Sequence, residues 1–136
     1  MKFLAIDYGE RRTGIAVGLS DFKIPFPRPA LDLQKDDLFN ALKHLVKEEV
    51  IDAVVLGYPL HKDGSMSTKA QLILSLKPQL ESHLNIPVHL QDETYTTVKA
   101  KERTAHFSMK DKRNKGKLDS AAACIILEEF FSTLSE

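Results

Sequence analysis

Three carboxylates in this chain stand where acidic side chains can hold divalent metal ions: Asp7, Glu93 and Asp119. Asp7 ends the apolar run KFLAID, Glu93 follows the run IPVHLQ and Asp92, and Asp119 opens an apolar C-terminal segment. A charged group at the end of a buried strand is costly unless something neutralises it. Carboxylates brought together repel one another unless they are protonated or bridged by cations. Mg²⁺ or Mn²⁺ would resolve both problems, because these hard ions prefer oxygen ligands. Two such ions roughly 4 Å apart can activate a water and stabilise the leaving oxygen of a displacement at phosphorus. Each residue alone has a plainer reading. Asp7 fits a turn or a cap, Asp119 is a charge favoured at a helix start, and Glu93 fits a surface. Their joint placement in elements that should meet points to metal chemistry.

The surroundings of Asp7 have their own logic. In Asp7-x-Gly9-x-x-Arg12-x-Gly14 the glycines let backbone approach a phosphate, and Arg12 can contact it. An ordinary tight hairpin needs the same glycines, so they do not decide the matter. Net charge is zero, with 19 basic and 19 acidic residues, so bulk charge gives no argument for nucleic acid. The distribution does, because Lys99–Lys117 holds eight Lys/Arg and two acids, a local net of +6. Candidate phosphate contacts are Arg12, Lys99, Lys110, Lys112, Arg113, Lys115 and Lys117. A solvated loop is the plainer reading of the same charges. His44, His61, His83, His89 and His106 form no paired motif and receive no catalytic role, although His61 follows Gly57 in a loop. Cys124 lies in AAACIIL and reads as a small core hydrophobe.

These groups need elements to position them. Residues 2–7 suit a central strand, and 13–19 a second strand in hairpin with the first. Pro25, Pro27 and Pro29 confine any third strand over 24–33 to an edge, or delay its start to near Ala30. Leu38, Phe39, Leu42, Leu45 and Val46 predict a helix over about 36–49. A buried strand covers 52–57. Ser67 or Ser65 can cap a helix running to about residue 84, which Pro78 should kink or interrupt. A strand over 86–91, a helix over about 97–105, a basic loop over 106–116 and a helix over 117–134 complete the chain. The order β-β-β-α-β-α-β-α-α predicts an α/β fold. Its mixed sheet has three antiparallel strands first, then parallel ones, with helices on both faces, the RNase H-like order.

At 136 residues and 43% hydrophobic, the chain is sized for one domain, 1–136, with one core. No apolar run approaches the roughly 20 residues of a membrane helix. Asp7 comes too early for a signal peptide's apolar stretch, so a cytoplasmic protein with no membrane partner is expected. Residues 130–134 (FFSTL) either form a small apolar patch or pack on the sheet, and the reading leaves monomer and homodimer both open.

The motifs resemble the YqgF-type family of RNase H-like nucleases, described as Holliday-junction resolvases and as pre-16S rRNA nucleases. Four blocks carry the resemblance. They are Asp7–Ala16 with Ser20-Asp21, Gly57-Tyr58-Pro59-Leu60 with Asp63-Gly64-Ser65, Asp92–Thr97 with Ala100, and Lys117–Ala122. It implies an acidic triad of Asp7, Glu93 and Asp119 holding two Mg²⁺ or Mn²⁺ ions. It also implies cleavage of structured RNA or branched DNA, and a role in maturing the 5′ end of 16S rRNA on a pre-ribosomal particle. Thr94 stands where the family usually has Arg, which removes one expected phosphate contact. That departure feeds an alternative, an RNA-binding ribosome-assembly factor with little or no cleavage. A nucleotide-binding domain of the actin or sugar-kinase type shares Asp-x-Gly after its first strand, but it works as two such domains.

Overall fold

A computed structural model describes residues 1–59, 67–92 and 115–134; for 115–119 it describes the helical backbone alone. The five strands are β1 (Lys2–Asp7), β2 (Arg12–Leu19), β3 (Ile24–Asp32), β4 (Ala53–Tyr58) and β5 (Val88–Asp92). The helices are α1 (Leu38–Glu49), α2 (Thr68–Leu84) and α3 (Lys115–Thr133). The strands form one sheet in the order β3-β2-β1-β4-β5, with β1 in the centre. β1–β2 and β2–β3 are antiparallel, whereas β1–β4 and β4–β5 are parallel. This is the expected mixed sheet.

Strand alternation divides the core into two layers. On one face Leu4, Ile6, Ile15, Val17, Val54 and Leu56 pack under α1 and α2. On the other, Phe3, Ala5, Ala16, Ala53 and Val55 pack under α3. Small residues on this second face let α3 sit close. A Cβ at Gly18 would stand 2.7 Å from the Ile24 carbonyl oxygen and 3.1 Å from the Phe131 ring. Cys124 is a buried member of this layer, as its apolar setting implied. Phe130 and Phe131 also pack on the sheet, which decides the alternatives left open for 130–134.

Caps and termini follow the local chemistry. The Asp37 carboxylate accepts from Asn40 N–H at the start of α1, and the Ser67 hydroxyl from Ala70 N–H at the start of α2. Val50 ends α1 in the left-handed conformation, φ 55°, a costly one for a β-branched residue. Pro78 does not interrupt α2. Its ring lies on the exposed side, while Ile73, Leu76, Leu80 and Leu84 bury a continuous stripe on either side of it. That burial outweighs one lost backbone hydrogen bond. α3 begins at Lys115, so residues 115 and 116 are helical and not part of a loop as expected. The helix expected over 97–105 lies outside the described residues.

β3 tolerates three prolines because it is an edge. Pro25, Pro27 and Pro29 alternate with Ile24, Phe26 and Arg28, and these supply the N–H groups for pairing with β2. Across this region Glu49, at the end of α1, takes two hydrogen bonds from the Arg28 guanidinium, at 2.6 and 2.9 Å, and one from Lys2 Nζ at 3.3 Å. Arg28 first, then Lys2, holds the Glu49 carboxyl below its ordinary pKa against the opposing effect of burial.

Candidate active site

Parallel strands β1, β4 and β5 all finish at one end of the sheet, with Asp7, Tyr58 and Asp92 as their last residues. Asp7 is on the central strand and half-buried. Phe3 and Ala5 face α3, so alternation turns Asp7 to the same face. Its partner across the hairpin is Gly14. No side chain there competes for the space beside the carboxylate.

The turn after Asp7 is closed by Gly9, which the motif singled out, and by Thr13, which it did not. A Cβ on Gly9 would collide with the Arg12 carbonyl oxygen, so this turn requires glycine. Thr13 is fully buried and donates its hydroxyl to the Gly9 carbonyl at 3.3 Å. The signal for Thr13 was faint: one β-branched polar residue opening an apolar strand. Arg12 begins β2 two residues before Gly14, beside the Asp7 turn, and is half-buried.

Helix α3 runs antiparallel to β1. Near its end, the Phe130 and Phe131 rings lie 5.3 and 5.8 Å from the Phe3 ring, at the start of β1. Near its beginning, the buried Ser120 donates its hydroxyl to the Arg28 carbonyl at 2.6 Å. Arg28 pairs with Ile15, and Ile15 with Ile6, the neighbour of Asp7. The first turns of α3 therefore pass the Asp7 end of the sheet. Asp119, next to Ser120, lies in those turns, as do Lys115 and Lys117. Ser120 is the second residue missed from sequence; a lone hydroxyl between Asp119 and three alanines was its only sign.

Asp7 is the one member of the predicted triad whose side chain is described, and Asp119 is described by its backbone position. Glu93 lies outside the described residues, as do Thr94, Lys99, Lys110, Lys112, Arg113 and His61. Among the described residues, no three of His, Cys, Asp and Glu stand together as a metal-holding group. Of the described histidines, His89 packs its ring against Phe3 and Phe130, and His83 stacks on Phe39 at 4.3 Å between centroids. Both are packing roles. No helix among the described residues is long and apolar enough to cross a membrane.

The geometry can be set beside known proteins. The family model described as RuvX, Holliday junction resolvase, matches residues 1–133. A protein of Paraburkholderia phymatum named "Putative pre-16S rRNA nuclease" is 38% identical over 135 residues, 97% of this chain and 85% of that protein. One of the same name from Maridesulfovibrio salexigens is 31% identical over 133 residues, 97% of this chain and 98% of that protein. In structure, the chain resembles Thermus thermophilus RuvC solved with a Holliday junction substrate. That match has a TM-score of 0.54 at 12% identity and covers 97% of this chain and 94% of that one. The fowlpox virus Holliday junction resolvase gives a TM-score of 0.55 at 13% identity, over 98% of this chain and 100% of that one. At such identities the likeness speaks for the fold, and the fold is that of RNase H-like resolvases. With the family model spanning nearly the whole chain, this protein belongs to the RuvX family of nucleases, hydrolases that act on phosphodiesters.

Proposed function

We propose that this chain is a metal-dependent endonuclease that cleaves structured RNA, and that its substrate is the 5′ region of precursor 16S rRNA. It acts as one domain, in the cytoplasm, on a pre-ribosomal particle. Its catalytic carboxylates are Asp7, Glu93 and Asp119. The observation that carries this reading is the meeting of central strand β1, which ends in Asp7, with the first turns of α3, which contain Asp119. Relatives named for pre-16S rRNA over nearly the full chain support the choice of RNA.

The donor set suits a hard divalent ion. All three proposed ligands are carboxylates, and the lone thiol, Cys124, is buried in the core under α3. Asp7, Glu93 and Asp119 would hold two Mg²⁺ or Mn²⁺ ions. Bound there, such ions lower the pKa of water and offset the charge that builds on phosphoryl oxygens. The protein's own part is positional. Gly9 and Thr13 fix the turn that follows Asp7, and Ser120 pins the start of α3 to β3. Arg12 holds a phosphate flanking the scissile bond, and Lys99, Lys110, Lys112, Arg113, Lys115 and Lys117 grip the strand beyond it.

A second reading, cleavage of branched DNA, is favoured by the description of the family model. One experiment addresses both. A labelled 16S-precursor 5′ fragment and a four-way DNA junction are incubated with wild type and Asp7→Asn in Mg²⁺, Mn²⁺ or EDTA. The expected result is cleavage of the RNA with metal, lost in EDTA and in Asp7→Asn. Cleavage of the junction alone moves the substrate to DNA. If both are bound and neither is cut, the nuclease reading fails and an assembly factor replaces it.

A further inference from the structure

The pairing of β2 with β3 slips at one place. Thr13 pairs with Leu31 and Ile15 with Arg28, so two steps along β2 match three along β3. The extra residue makes a β-bulge at Pro29-Ala30, opposite Gly14. Gly14 pairs on its other side with Asp7, so the bulge is level with the end of β1. Arg28, just before the bulge, is held from both layers of the core. From the α1 side, Glu49 binds its guanidinium. From the α3 side, its carbonyl accepts the Ser120 hydroxyl at 2.6 Å.

Among the described residues the two buried polar side chains are Thr13 and Ser120. Both hydroxyls bond to carbonyls near the Asp7 end of the sheet, Thr13 to Gly9 and Ser120 to Arg28. A buried hydroxyl is costly without such a bond. Helix formation alone favours alanine at position 120, as at 121–123. The apolar packing of Phe130 and Phe131 on Phe3 holds the far end of α3. Such packing is non-directional and does not by itself fix how the helix lies along the sheet. A short hydrogen bond to one carbonyl does.

We infer, on the reading of Asp7 and Asp119 as metal ligands, that Ser120 is a positioning residue for the metal. Its bond to the bulged strand fixes where α3 starts over the sheet, and with it the backbone of Asp119 relative to Asp7. Neighbouring Cα atoms are about 3.8 Å apart, so Asp119 cannot shift far while Ser120 is pinned. Asp7 and Asp119 stand at opposite ends of the chain, and no short covalent link sets their separation. Without metal, carboxylates gathered there repel, which drives the start of α3 away from β1. The Ser120 bond opposes that movement and keeps the ligands spaced for an ion that binds oxygen at nearly fixed distances.

Mn²⁺ binding to the metal-free full chain, measured by titration calorimetry, tests this with the parent, Ser120→Ala and Ser132→Ala. Ser132 donates to Glu129 within the far end of the same helix and serves as the control. Ser120→Ala should weaken Mn²⁺ binding by roughly tenfold or more, the scale for loss of a group that orients a ligand. Ser132→Ala should bind as the parent does. In the metal-free protein, amide exchange should quicken in Ser120→Ala over residues 115–122 and stay unchanged in β1. If Ser120→Ala is too unstable to assay, Ser120→Cys, close in volume and only a weak donor, carries the same expectation. A variant that melts lower yet binds Mn²⁺ like the parent makes Ser120 merely structural and overturns the assignment. So does a loss that Ser132→Ala shares. A parent that binds no Mn²⁺ overturns the metal-ligand reading itself, and the role of Ser120 falls with it.

Discussion

The two ends of this sheet treat charge in opposite ways. At the Lys2 end, Glu49 is closed in by Arg28 and Lys2, and the Asp52 carboxylate takes the Lys2 N–H. Glu49 meets two cations there, and the network ties α1 to β1 and β3. At the Asp7 end, the central strand finishes in a carboxylate that faces the helix carrying Asp119. Glycines and hydroxyls hold the backbone there, and no basic side chain lies on the strand directly opposite, where Gly14 sits. Pairing at one end serves stability. Under the proposed function, the other end would gather carboxylates at a cost in stability and use them to hold metal ions.

Substitutions at the two ends sharpen this contrast. The largest effect is expected for Asp7→Asn. It should lower cleavage by about a thousandfold or more, on the scale of losing an essential catalytic group, while the melting temperature holds or rises. A fall in melting temperature with activity retained would make Asp7 a structural residue. Next comes Gly9→Ala. The added Cβ must displace the Arg12 carbonyl, so the turn shifts and cleavage should drop by roughly a hundredfold, as for a displaced catalytic geometry.

Glu49→Gln should do the reverse. It should destabilise by about 1–3 kcal/mol, because it strips the charge from three hydrogen bonds, and leave cleavage near the parental rate. Its pH dependence gives a sharper check. The Glu49 carboxyl is held below its ordinary value in the fold. Its contribution is therefore present above the unfolded pKa of about 4.3. That contribution is lost as pH falls through the lower, folded value. Denaturant melts of parent and variant should differ at neutral pH and converge in acid. A constant gap across pH would assign the loss to packing. The smallest effect is expected for Val50→Gly. Relief of the left-handed conformation should stabilise by about 1 kcal/mol, again without changing activity.

The sequence made the elements legible where one face of each was apolar. The runs at β1 and β4 and the 3-to-4-residue spacing in α1 and α2 located those elements within a few residues. Pro78 was expected to kink or interrupt α2, and it does not interrupt it. The apolar stripe of α2 lies on the face away from the ring, and its burial decided the outcome. The start of α3 was placed two residues late because Lys115 and Gly116 look like loop residues. Of the candidate site, the turn that carries Asp7, Gly9 and Arg12 was legible because strand-turn chemistry is local. Ser120 could not be read, since it acts through one hydrogen bond to a carbonyl far away in sequence, and Thr13 could not, since a hydroxyl opening an apolar strand does not announce its bond back to the Gly9 carbonyl. Glu93 remains an inference from motif and spacing.

The position of α3 sets an order on the making of this protein. Its residues cover Phe3, Ala5 and Ala16, laid down at the other end of the chain. During synthesis the antiparallel strands β1 to β3 can pair early, since their turns are short. One face of that meander then waits, open to water, until the last helix has been translated. At about 5–20 residues per second that interval is several seconds. Apart from Phe3, the side chains of this face are small, Ala5, Ala16 and Gly18, and offer little to bind in the meantime. Close packing in the finished protein thus also limits what the unfinished one presents to its neighbours.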